Sequence, residues 1–164
     1  MIRKAAILAV VILNLLALGA RAEVIDKVVA YVDDEAITLS ELEHVHSAMV
    51  RLSPSITMRE ALGTMINRTL LLREARRLRL EAPSDDYLLD DYIDMKVRAF
   101  IKIKESDIKE YYDNNRAQFG DKSYAEVKGD IESYLFEKEV NYRIRRLLET
   151  LKENAHIRVL LDLP

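Results

Sequence analysis

His44 and His46 sit two residues apart, and a shared metal ion is the first chemistry such a pair suggests. On a helix, however, positions i and i+2 lie about 200° apart and cannot converge on one ion, so the pair reads as surface histidine. His156 stands alone, and no role is assigned to it. Asp85, Asp86, Asp90, Asp91 and Asp94 form an acidic run that could hold a cation. A solvated face is the simpler account, with Asp85 and Asp86 at a helix start where carboxylates meet the positive end of the dipole. Arg73, Arg76, Arg77 and Arg79, echoed by Arg143, Arg145 and Arg146, could bind an anion, but pairing with the chain's own acidic excess explains them as well. The absence of cysteine excludes a thiolate metal site, a cysteine nucleophile and a disulfide framework. There is no Gly-x-Ser-x-Gly, His-Glu-x-x-His, phosphate-binding glycine loop or dinucleotide fingerprint. No covalent chemistry is therefore expected, and neither a metal nor a cofactor.

What remains is adhesive chemistry. Methionine adapts to many apolar shapes, and tyrosine offers a ring with a polar tip. A surface that accepts varied unfolded segments needs that tolerance more than one fixed geometry. Met49, Met58, Met65, Tyr87, Tyr92, Met95 and Tyr142 are the candidate client-binding residues on this reasoning, with Tyr111 a related ring. Core packing is the ordinary role of any one of them.

The chain that must position these residues has 164 of them, of which 49% are hydrophobic, enough for the core of one domain. Residues 1–22 carry Arg3, Lys4 and Arg21 and no acid, and setting them aside leaves 22 basic against 28 acidic side chains, a net charge of −6. That balance argues against nucleic acid as a partner. Arg3 and Lys4, the apolar run 5–18 and Ala20-Arg21-Ala22 read as a cleavable signal peptide with cleavage after Ala22. About 14 apolar residues are too few to cross a bilayer, so no stable membrane insertion is expected after its removal. Residues 23–164 are then one exported domain, placed in the periplasm by the resemblance described below.

Residues 23–39 read as a hairpin with a tight turn at Asp33-Asp34, a residue type that tolerates the left-handed region. Residues 40–118 read as helices. Ser40-Glu43, Thr57-Glu60 and Ser123-Glu126 each have the spacing of a capping box. The second helix, Met58 to about Leu80, is apolar around most of its circumference and should be central. A third helix follows Ser84 and a fourth spans about Glu105 to Arg116, with 118–122 as a linker. The long helix, residues 123–154, changes its apolar side: Tyr124, Val127, Ile131, Tyr134 and Leu135 share one face, and Phe136, Val140, Ile144, Leu147, Leu148 and Leu151 the opposite one. Its two halves should bury against different bodies, whether two parts of this chain or two chains. Residues 157–161 read as a last strand that joins the amino-terminal hairpin. The fold class expected is mainly α, an extended helical domain with a small β ribbon.

The segment from Val24 through Asp33-Asp34-Glu35 to Leu42 resembles the start of SurA-type periplasmic chaperones, the SurA N-terminal domain family. Met65-Ile66-Asn67-Arg68-Thr69-Leu70-Leu71-Leu72-Arg73-Glu74-Ala75 looks like that family's second-helix pattern, although the family usually has a glycine after this helix and the chain has Arg79. Lys104 to Asn115 resembles the stretch before the family's parvulin isomerase domain, and Tyr124-Ala125-Glu126-Val127 with the long helix and Ala155-His156-Ile157-Arg158-Val159 resembles the stretch after it. About 15 residues separate Tyr111 from Glu126, too few for an isomerase domain. The resemblance implies a periplasmic chaperone that binds unfolded or extended polypeptides of exported proteins, as in outer-membrane protein assembly, without isomerase activity. The expected binding surface is an apolar cradle between the long helix and the amino-terminal helices. The alternative is structural: a domain-swapped homodimer, or a dedicated partner-binding subunit of the cell envelope. A peptidyl-prolyl isomerase is the third reading.

Overall fold

A computed structural model of the chain describes residues 26–160. The expected signal peptide, the first residues of the hairpin and Leu161 lie outside them. β1 (Val28–Val32) and β2 (Glu35–Thr38) form an antiparallel hairpin in which Val32 faces Glu35 across the Asp33-Asp34 turn. Asp33 takes φ 54°, the left-handed conformation that aspartate tolerates better than most residues. Three of its polar groups meet other elements. The Asp33 N–H donates to the His156 carbonyl at 2.9 Å, one carboxylate oxygen accepts from the His156 N–H at 2.8 Å, and the other pairs with Arg73. One turn residue thus ties the hairpin to the C-terminal segment and to a helix. A register shift between Val28 and Ala30 breaks the strict alternation of β1, so the consecutive Val29 and Ala30 are both buried. β3 (Ile157–Val159) pairs antiparallel with the other edge of β1, giving the order β2-β1-β3. The molecule is mainly helical with a small antiparallel sheet built from the N-terminal hairpin and the C-terminal strand, as expected.

α1 (Leu39–Leu52) begins earlier than the Ser40-Glu43 spacing suggests. Thr38, the last residue of β2, is the cap: its hydroxyl accepts from the Glu41 N–H, and Glu41 accepts from the Thr38 N–H at 2.9 Å. Strand pairing of Thr38 with Val28 ends where the helix begins, so the upstream of two overlapping capping signals wins. The Ser40 N–H goes instead to Asp26 at 3.2 Å. α2 (Met58–Arg77) starts at the expected Thr57-Glu60 box, with 2.8 Å from the Thr57 N–H to Glu60. It ends before Leu80. Arg79 adopts φ 56°, its N–H donates to the Arg76 carbonyl, and the Leu80 N–H donates to the Ala75 carbonyl. This pair of bonds is the Schellman closure, with arginine where glycine is the usual residue. α3 (Asp85–Lys96) is capped by Ser84. A 3-10 turn, Arg98–Phe100, leads to α4 (Glu105–Asn114) and to the four-residue α5 (Arg116–Phe119), which occupies part of the expected linker.

α6 (Tyr124–Glu153) is 30 residues, about 45 Å at 1.5 Å per residue. Glu126 reaches back to the Ser123 N–H at 2.7 Å, as its spacing predicts. The two apolar stripes are both present. Val127 and Ile131 are buried with Ile108 and Tyr112 of α4, forming a tip. Val140 is buried with Leu72 and Ala75 of α2 and Tyr92 and Ile93 of α3. Leu151 closes the cluster of β1, α1 and α2, which includes Val29, Val32, Leu42 and Leu70. Both stripes are therefore covered over most of their length by this chain's own side chains, with Tyr134 half exposed. α2 contributes Leu70 to one cluster and Leu72 to the next, the central position its apolar circumference demands.

Candidate functional site

The apolar side of α6 switches between Leu135 and Phe136, where the helix leaves the tip and enters the body. Beside this waist runs Ile101-Lys102-Ile103-Lys104, an extended segment joining the 3-10 turn to α4; Ile101 has φ −98° and ψ 127°, and Lys104 φ −87° and ψ 147°. Its alternation of β-branched and charged residues favours that conformation. Ile101 packs on the body cluster and Ile103 on the tip cluster, while Lys102 and Lys104 face solvent. Among the described residues, neither Lys102 nor Ile103 makes a backbone hydrogen bond. These residues formed no part of the sequence-based candidate set. Their two-residue periodicity is the signal that marks them.

Between the segment and α6 lies a groove of about 590 Å³. Ile101, Ile103, Leu135 and Tyr142 give it apolar surface, and Tyr142 is 51% exposed. Its charged lining divides into used and unused groups. Arg143 donates to Glu139 at 2.7 Å and to the Phe100 carbonyl at 3.1 Å, clamping the turn to the helix. Asp107 accepts from the Lys104 N–H at 3.4 Å and the Ser106 hydroxyl at 3.1 Å, fastening the start of α4. Lys102, Lys138 and Arg145 have no ion-pair partner among the described residues. Away from the groove lining, Glu105 ties α4 to α6 in the tip: it accepts from the Tyr124 hydroxyl at 2.5 Å and pairs with Lys128. Lys128 and then Tyr124 hold the Glu105 carboxyl below its ordinary value, and the same hydrogen bond pushes the Tyr124 phenol up to about 12.

A second cleft, about 570 Å³, lies among β2, α1 and α2 over Ile37, Val45, Met65 and Leu72. Its cations are already matched: Arg76 meets Asp85 and Arg68 meets Asp86, both at 2.9 Å. With Arg98 on Asp94 at 2.6 Å and Arg77 on Glu74 at 2.8 Å, much of the acidic run and the basic cluster is internal pairing. His46 bonds the Ile56 carbonyl at 3.0 Å, and His44 lines the second cleft.

The seven candidate client-binding residues do not form one surface. Met49, Met58 and Met65 pack half-buried against the sheet and first helices. Tyr92 is 2% exposed, a core residue whose phenol is pushed up by burial and then by Glu74, so its ring is closed to a client. Tyr87 and Met95 are exposed on α3, and Tyr142 alone of the seven lines the groove. The cradle expected between the long helix and the amino-terminal helices is filled by Leu71, Leu147 and Leu151, because the central α2 packs directly on α6. The open surface lies one step along the helix, at the waist. Among the described residues, no helix is long and apolar enough to cross a membrane. Compared with known proteins, the chain matches no protein-family model and no curated protein sequence.

Proposed function

We propose that the protein is an exported, periplasmic chaperone-like binder of unfolded or extended segments of other exported proteins, working without catalysis or cofactor, and that clients dock in the waist groove. The observation that carries this reading is the pairing of an exposed apolar hollow with an extended backbone segment in which Lys102 and Ile103 make no backbone hydrogen bond among the described residues. An extended client can add to such a segment by main-chain hydrogen bonds, which recognise any sequence, while the hollow accepts its side chains. The resemblance of the hairpin, second helix and long helix to SurA-type chaperones supports the same reading. Apolar burial supplies roughly 25 cal/mol per Å², less the cost of ordering the client, so affinity is modest and exchange is free of ATP. The test is aggregation of a denatured outer-membrane protein at stoichiometric ratios of chaperone to client. Suppression that is lost in Tyr142→Asp supports the function and its location, and no suppression across a concentration series rejects the function.

A homodimer is the second reading, favoured by the exposed Val159 and Leu160 at the edge strand β3. Light scattering decides it: a concentration-independent dimer supports it, and a monomer removes it.

A further inference from the structure

Charge at the waist runs against the charge of the chain. Residues 23–164 carry −6, yet Lys102, Lys138 and Arg145 converge on the groove without acidic partners among the described residues. The lining of this groove holds four cations, these three and Arg143, against two carboxylates, Glu139 paired with Arg143 and Asp107 at the start of α4, so it keeps a positive excess. Lys138 and Arg145 also line an adjoining hollow of about 510 Å³ bounded by Tyr134, Glu137 and Ile144 along the exposed face of α6. From Tyr134 to Arg145 the helix rises about 16 Å, the length of roughly five residues of extended chain.

We infer that the waist groove selects extended peptide segments that alternate carboxylates with apolar residues. The inference rests on the client-binding reading above. The client's backbone pairs with Lys102-Ile103, its apolar side chains enter the hollow beside Leu135 and Tyr142, and its carboxylates meet Lys102, Lys138 and Arg145. Alternation matters because successive side chains of an extended chain point to opposite sides, which separates the apolar floor from the basic rim. Extended backbone without backbone hydrogen-bond partners among the described residues, at Lys102 and Ile103, suits a polypeptide in a way that neither a lipid headgroup nor a nucleic-acid strand requires. Exposed charge contacts are individually weak, so the selectivity is a preference and depends on salt.

The test is fluorescence anisotropy with three labelled peptides of one apolar pattern, carrying Asp, Asn or Lys at the alternating positions. The Asp peptide is expected to bind on the order of tenfold tighter than the Asn peptide, as three exposed contacts allow, and tighter still than the Lys peptide. High salt should remove that margin. Lys138→Glu with Arg145→Glu should invert the order, and the milder Lys138→Gln with Arg145→Gln should abolish the preference; both positions are exposed, and circular dichroism checks the fold. N-methylation of the Asp peptide's backbone should weaken it further. Equal binding of all three peptides, or an order unchanged in both variants, overturns this inference while suppression of client aggregation still upholds the function. Preferential binding to anionic vesicles over the Asp peptide also overturns it.

Discussion

Towards its C-terminus α6 buries Val140 and Leu151 against mostly aliphatic side chains gathered from β1, α1, α2 and α3. Towards its N-terminus it buries Val127 and Ile131 in a cluster rich in rings, all of it from residues 103–135. Tyr112 packs 5.4 Å from both Phe119 and Tyr124, Tyr111 lies 5.2 Å from Tyr134, and Arg116 covers the Tyr112 ring at 4.6 Å. The body closes over more than 120 residues of sequence, since β1 pairs with β3. The tip closes over a few turns. Chains shorter than about 40 residues seldom hold a fold unaided, so the tip depends on α6 being anchored in the body, and the converse does not hold. Aromatic residues suit that situation because each buries a large area from a short stretch of chain. The waist groove sits where these two kinds of packing meet, so local opening of the tip need not unfold the body.

The sharpest test of this asymmetry is a pair of cavity mutants. Leu70→Ala removes a fully buried side chain from the sheet–helix cluster and should cost about 3–5 kcal/mol. Both regions should then lose amide protection together in one transition. Ile131→Ala should cost about 2–4 kcal/mol within the tip, with exchange accelerated in residues 103–135 and the body's protection retained. If Ile131→Ala lowers protection in β1 and α2 to the same degree, the two regions are one cooperative unit.

Next in size is Asp33, the knot through which the body's two chain ends meet. Asp33→Ala leaves the Arg73 charge and the His156 N–H without their partner and should cost about 2 kcal/mol by chemical denaturation. Asp33→Asn keeps an acceptor for His156 and tolerates the left-handed turn, so it should recover about half of that loss. Neither change should alter protection in the tip separately from global unfolding. A smaller effect of opposite sign is expected at the exit of α2. Arg79→Gly relieves a side chain held at φ 56° and should stabilise the body by about 0.5–1 kcal/mol, read from the thermal midpoint.

How much of this was legible from residue order follows the same division. Local signals were readable: the Asp33-Asp34 turn, the Thr57-Glu60 and Ser123-Glu126 boxes and the change of apolar side along α6 all depend on neighbours within a few turns. Where two local signals overlapped, as at Thr38-Glu41 and Ser40-Glu43, strand pairing chose between them, and pairing is not a local property. The Arg79 closure was hidden because arginine seldom occupies that position, although Leu80 on the apolar side of the turn fits it. The space expected for a cradle is filled for a tertiary reason: α2 has apolar residues on several faces and packs directly beside α6. Of the methionines and tyrosines, composition alone could not separate the buried Tyr92 from the exposed Tyr142, since both carry the same side chain and differ only in what packs on them.

The smallest expected effect separates the regions by pH. Glu60 in the body and Glu126 in the tip are both held below their ordinary 4.5, Glu60 by the Thr57 backbone and hydroxyl, Glu126 by the Ser123 hydroxyl and backbone. A depressed carboxyl stabilises the fold above its unfolded value and ceases to do so as pH falls through the folded one, so acid weakens both regions alike. Alkali does not. The Tyr124 phenol is raised from 10.0 to about 12 by its hydrogen bond to Glu105, so this bond's contribution is complete below 10 and is lost as pH climbs through 12. Only the tip carries that bond. Absorbance of tyrosinate in Glu105→Gln should show one phenol titrating closer to 10 than in the parent protein, and the loss of tip protection with rising pH should begin correspondingly earlier. An unchanged titration curve would mean that Glu105 holds Lys128 alone, leaving the aromatic packing of Tyr124 on Tyr112 to hold α4 against α6 in the tip.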